Sequence, residues 1–90
     1  LARRAELDED WAEWQAAGKR IERYEHDILP LARQRVASAL NAYGSNRATF
    51  GRVSEARRAE LEARINLLSQ RVAQAKARVQ IDYLTAESRP

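Results

Sequence analysis

His26 stands among Glu22, Glu25 and Asp27. These are the residue types that bind divalent metals or move protons. A zinc-type centre needs about four ligands at fixed geometry. Glu22 one helical turn earlier and two chain neighbours do not supply them, so His26 reads as a surface histidine. The chain has no cysteine, which excludes thiol nucleophiles, thiolate metal sites and disulfides. With one histidine, no glycine-rich loop and no paired acids set in a pocket, the sequence offers no catalytic, cofactor-binding or metal-ligating set. An enzyme is not expected. Trp11 and Trp14 are three apart and share a helical face, where an aromatic pair reads as packing. The remaining polar chemistry is gathered in Tyr43-Gly44-Ser45-Asn46-Arg47, with Arg52 and Glu55 just beyond.

That segment is the single break between two long arms rich in Ala, Arg, Glu and Leu. The pattern predicts an all-α fold: an antiparallel two-helix coiled-coil hairpin, with a helix over about 2–42, a tip at 43–48 and a helix over about 49–84. In the second arm Leu61, Ile65, Leu68, Val72, Ala75 and Val79 step by alternating fours and threes, the seam of a heptad. Val53, Leu67 and Ile81 read as lying off that seam, and the many alanines allow packing on more than one side. Glu60 and Arg64 have the spacing and order of a favourable helical ion pair.

The first arm suggests one apolar stripe through Leu7, Trp11, Trp14, Ile21, Tyr24 (or Glu25), Ile28, Leu31, Arg35 (or Val36) and Leu40 (or Ala39). Gly18 and Pro30 are its weak points. Pro30 lacks a backbone donor and crowds the carbonyl four residues back, which predicts a kink near Asp27–Pro30. A helix restarting there, with Pro30 in its first turn, is the alternative. No capping side chain sits directly before Pro30, which favours a kinked continuous helix. At the tip, Gly44 and Asn46 tolerate a left-handed backbone, and Thr49 or Ser45 can cap the second helix.

Ninety residues make one domain at most, and a hairpin of this size has little interior. Its apolar seam should therefore close on another copy or on another part of a larger protein. The absence of an initiator Met and of a cap before Leu1 reads as a fragment of a longer chain. No apolar run approaches the roughly 18 residues of a membrane helix. The net charge of +3 is unevenly spread: residues 1–30 carry 8 acidic and 5 basic side chains, and residues 31–90 carry 5 and 11. Around the tip Arg33, Arg35, Arg47, Arg52, Arg57 and Arg58 meet only Glu55. These cations are scattered around the helices and not interleaved with aromatics, so a nucleic-acid partner is not expected.

Several segments recur here in a consistent order: Ile28-Leu29-Pro30-Leu31-Ala32, then Ala42-Tyr43 before a short polar turn, Phe50, Glu55-Ala56-Arg57, and Asp82-Tyr83-Leu84-Thr85 at the end of a long helix. Over about residues 20–85 this resembles the C-terminal helical hairpin of TolC-type outer membrane efflux proteins. The wording of residues 56–64 is most like members serving heavy-metal efflux. The resemblance implies a homotrimer in the full-length protein, with a membrane β-barrel and a periplasmic barrel of helical hairpins. This chain would be a fragment of that periplasmic α-barrel. Its partners would be a periplasmic adaptor protein and an inner-membrane RND pump, its cargo metal cations, and its location the outer membrane with this segment in the periplasm. The role is passive export without a cofactor.

By the same resemblance, Tyr43 matches a tyrosine that helps hold the tip closed. Gly44, Asn46 and Arg47 belong to the polar turn, with Asn46 where the family usually has glycine. Glu55 matches an acidic residue just past the tip, and opening would break contacts made by Tyr43, Arg47 and Glu55. Arg52 stands near a position that is acidic in some relatives, which alters the electrostatics of a constriction. Gly51 and Ser54 replace larger apolar residues. Two other readings share the same hairpin: the coiled coil of a periplasmic adaptor, and a generic coiled-coil oligomerisation module. The isolated chain is expected to self-associate as an antiparallel four-helix dimer.

Overall fold

The computed structural model describes residues 2–87; the expected domain of 1–90 runs past them at both ends. Within the described residues all regular structure is helical: α1 (Ala2–Arg23), a π-turn (Tyr24–Ile28), α2 (Leu29–Gly44) and α3 (Phe50–Glu87). α1, the π-turn and α2 follow one another without interruption, the chain reverses over 45–49, and α3 packs back on the first arm. The fold is the expected all-α hairpin, with each arm two or three residues longer at its C-terminal end than the sequence pattern indicated. Among the described residues no helix is long and apolar enough to cross a membrane.

The described residues divide into two compact units, a tip unit of residues 22–67 and a base unit of residues 2–21 with 68–87. In the tip unit Leu29, Ala32 and Val36 of α2 and Val53, Ala63 and Leu67 of α3 are buried. Glu60 is the charged member of that row. Its side chain is 14% exposed, 2.8 Å from the Arg64 guanidinium and 3.9 Å from that of Arg33. The expected Glu60–Arg64 pair is thus formed.

In the base unit Ala17 of α1 and Ala77, Ile81 and Leu84 of α3 are buried. Polar ties bind the same rows: Arg20 Nε donates to Gln70 Oε1 at 2.6 Å, and Gln74 Nε2 to the Trp14 carbonyl at 3.4 Å. Arg3 pairs with Glu87 at 3.0 Å. Gly18 does not break α1. A Cβ there would lie 3.0 Å from Gln74 Nε2, so its small size keeps room for that cross-strut. Trp14 is half-buried and stacks on the exposed Trp11 at 5.4 Å.

Two expectations about faces are corrected. In α3 the covered row is Val53, Ala56, Glu60, Ala63, Leu67, Gln70, Gln74, Ala77, Ile81 and Leu84, buried or half-buried throughout. It steps by alternating threes and fours over more than four heptads. Leu61, Ile65, Leu68, Val72 and Val79, read from the sequence as the seam, are 46–68% exposed. The larger aliphatics had outweighed the longer but mixed row.

In the first arm Leu31 faces outward and Ala32 faces in, and of the open alternatives Val36 and Ala39 face in while Arg35 and Leu40 face outward. The cause is the π-turn. Leu29 N–H donates to the Tyr24 carbonyl five residues back, so this turn holds one residue more than an α-turn. Every later side chain is thereby carried round by one position. The wide turn directly precedes Pro30 and gives its ring room that an α-turn denies. The arm continues through Pro30 as helix and does not restart there.

Candidate functional site

The tip is built by two caps. α2 ends in a Schellman motif: Arg47 N–H donates to the Ala42 carbonyl at 2.7 Å and Asn46 N–H to that of Tyr43 at 3.1 Å. Asn46 carries the left-handed turn, at φ 61°. Asparagine is among the few non-glycine residues that adopt that conformation readily. Gly44 does not use its freedom; it is the last residue of α2, and no glycine has positive φ among the described residues. Thr49 is the cap of α3, its hydroxyl accepting from Arg52 N–H at 3.3 Å. Ser45 instead returns its hydroxyl to the Asn41 carbonyl at 3.0 Å.

Tyr43 and Phe50 meet edge to face across the turn, with ring centroids 5.9 Å apart, an arrangement favoured by the aromatic quadrupole. Both rings remain largely exposed. Beside them an open groove is lined by Leu31, Gln34, Arg35, Ser38, Ala39 and Ala42 from α2, and by Ala48, Arg52, Glu55 and Ala56 from the returning chain. Two guanidinium groups face one carboxylate there, so the groove is basic.

The structure therefore brings Arg52 and Glu55 together on the groove and sets Tyr43, Gly44, Asn46 and Arg47 at the exposed turn. Among the described residues no hydrogen bond or ion pair joins Tyr43, Arg47 and Glu55. Their polar groups are presented outward and not spent within the hairpin. Among the described residues no three His, Asp or Glu side chains gather to hold a metal. Comparison with protein families, with curated proteins and with solved structures finds no match to this chain.

A second surface belongs beside the tip. The uncovered stripe from Leu61 to Val79 lies about 150° around α3 from the covered row, given 100° per residue. Arg57, Arg64, Arg71 and Arg78 recur every seven residues along one of its borders. Sequence reading found the stripe and took it for the hairpin's own seam. It missed the arginine row, whose signal is its strict period of seven.

Proposed function

We propose that this chain is a periplasmic hairpin of a TolC-type outer membrane efflux channel, a passive export duct whose energy comes from an inner-membrane pump. The observation that carries the reading is the double-faced α3. One heptad row is covered by the chain's own first arm, and a second, nearly opposite, is apolar and uncovered. A helix that must touch a neighbour on each side is the unit of a closed wall of helices. The capped, basic, outward-facing tip suits the end of such a wall, where an adaptor docks and the duct narrows.

In this reading Tyr43, Arg47 and Glu55 make their contacts with neighbouring hairpins. Hydrogen bonds to charged groups contribute about 1.5–3 kcal/mol each, so adaptor binding of modest differential affinity shifts the tip from closed to open. Arg52, with Arg35 beside it, makes the rim basic. The substrate class is the metal cation that the resemblance implies. Separated from its wall, the uncovered stripe closes on a second copy of the chain as a four-helix dimer.

Single cysteines at Tyr43 and Glu55 in the full-length parent test the duct. Trimer crosslinks that weaken when the adaptor is co-expressed are the expected result. Crosslinks only to a different outer membrane channel would make this chain the adaptor hairpin instead. For the isolated chain, light scattering should report a dimer that the Leu68→Lys, Val72→Lys double variant converts to monomer. A monomeric parent at high concentration would contradict the stripe's assigned role.

A further inference from the structure

Along the first arm the inward positions Leu7, Asp10, Trp14, Ala17, Ile21, Tyr24 and Ile28 alternate steps of three and four. Continued without interruption, that phase selects 31, 35, 38 and 42: Leu31, Arg35, Ser38 and Ala42. Those four residues, with Gln34 and Ala39 beside them, instead form one wall of the tip groove. For the first three, the positions that face α3 are one residue later, at Ala32, Val36 and Ala39; at the end of the helix Ala42 is itself half-buried. The displacement equals the single extra residue of the π-turn.

We propose that the π-turn is a phase switch: its extra residue decides which stripe of α2 faces α3, and so holds the tip groove open. If the turn is taken up into α-helical register, α2 rotates about its axis by one residue, about 100°. Leu31, Arg35 and Ser38 then turn toward α3, Ala32 and Val36 turn out, and the groove loses its wall. The two phases differ in cost for a stated reason. The present one buries Leu29, Ala32 and Val36, whereas the other carries the Arg35 guanidinium inward, which is unfavourable unless it is paired. The open-groove phase is therefore the resting one, and closing requires an input. Pro30 pins the extra residue in place, because the position has no N–H to complete an α-helical bond and its ring needs the wider turn. The switch is a property of the tip unit alone and stands whether or not the hairpin belongs to an export duct.

The chain contains no cysteine, so single-cysteine alkylation reads the phase directly. In the parent background Leu31→Cys is expected to react at least about tenfold faster than Ala32→Cys, since access governs thiol reactivity. Deleting His26 removes the extra residue. An uninterrupted α-helix then carries Ala32 at the inward phase, so the expected result is a chain that stays helical by circular dichroism and keeps Leu31→Cys as the faster site. A helical deletion chain in which Ala32→Cys becomes the faster site overturns the proposal. If the deletion prevents folding, Pro30→Ala decides at unchanged length: Leu31→Cys should slow by about twofold or more and Ala32→Cys should quicken as the second phase is populated. Unchanged rates in a folded Pro30→Ala chain overturn the proposal equally.

Discussion

Leu67 and Leu68 are chain neighbours on α3 with opposite fates: one is 5% exposed, the other 61%. They belong to two heptad rows on nearly opposite faces. The inner row, Val53–Leu67–Ile81 with its alanines, glutamines and Glu60, is poor in large apolar residues yet never loses its period. The outer row is rich in Leu, Ile and Val and has no cover among the described residues. Close approach of two helices selects spacing and small size, since alanine and glutamine let the arms near each other and leave room for cross-struts such as Gln74 to the Trp14 carbonyl. Side-chain hydrophobicity selects what a helix can offer a further neighbour. A helix that shows both is prepared for two contacts, of which the hairpin makes one.

The largest expected effect separates the two leucines. Leu67→Ala removes a buried side chain from the tip unit and should cost about 2–4 kcal/mol of unfolding free energy. Leu68→Ala, in dilute solution where the chain is monomeric, should stay within about 0.5 kcal/mol of the parent. Urea midpoints measure both. Equal losses would break the assignment of the faces, and a Leu68→Ala chain that is unchanged when dilute but less associated when concentrated would sharpen it.

The fold was legible in the sequence because its largest signals are local. One polar break between two helical arms, Asn46 at a position that needs a left-handed residue, Thr49 as a cap, and Glu60 four residues before Arg64 all depend on a few neighbouring residues. The faces were less legible, for two physical reasons. In α3 two rows with the same period compete, and the more apolar one is the one left uncovered. In the first arm a single extra residue in the turn before Pro30 rotates everything after it. Proline marks where a helix must adjust but not whether it breaks, kinks or widens. The positions of Arg52 and Glu55 on a common groove follow from that rotation, since it supplies the opposite wall. The outward presentation of Arg47 follows from the Schellman turn.

Glu60 provides a test in the opposite direction. It is the charged residue of the inner row, and its two arginine partners lie at the border of the seam and are largely exposed. Replacing a buried ion pair by a well-packed apolar residue is often neutral or stabilising. Glu60→Leu should therefore raise stability by about 1–2 kcal/mol, since a leucine buried at that level contributes on that scale. If spacing alone defines the inner row, the variant remains a hairpin with the same exposed stripe. A loss of stability would mean that the Arg33 and Arg64 contacts hold the tip unit together more than its apolar row does.

The smallest effect lies on the outer face. Arg78 and Asp82 form a helical pair at 3.3 Å, with both side chains more than 60% exposed. Water and salt screen such a pair, and its contribution is about 0.2–0.5 kcal/mol. Arg78→Ala should change the thermal midpoint of the monomer barely at low ionic strength and not at all at about 1 M salt, where the screening length falls to about 3 Å. Arg78 also belongs to the arginine row beside the uncovered stripe. A neighbour seated on that stripe would desolvate the guanidinium, and the same substitution would then alter association while leaving the monomer unaffected. The ratio of the two effects measures how far the outer face is an interface and how far it is only a solvated surface.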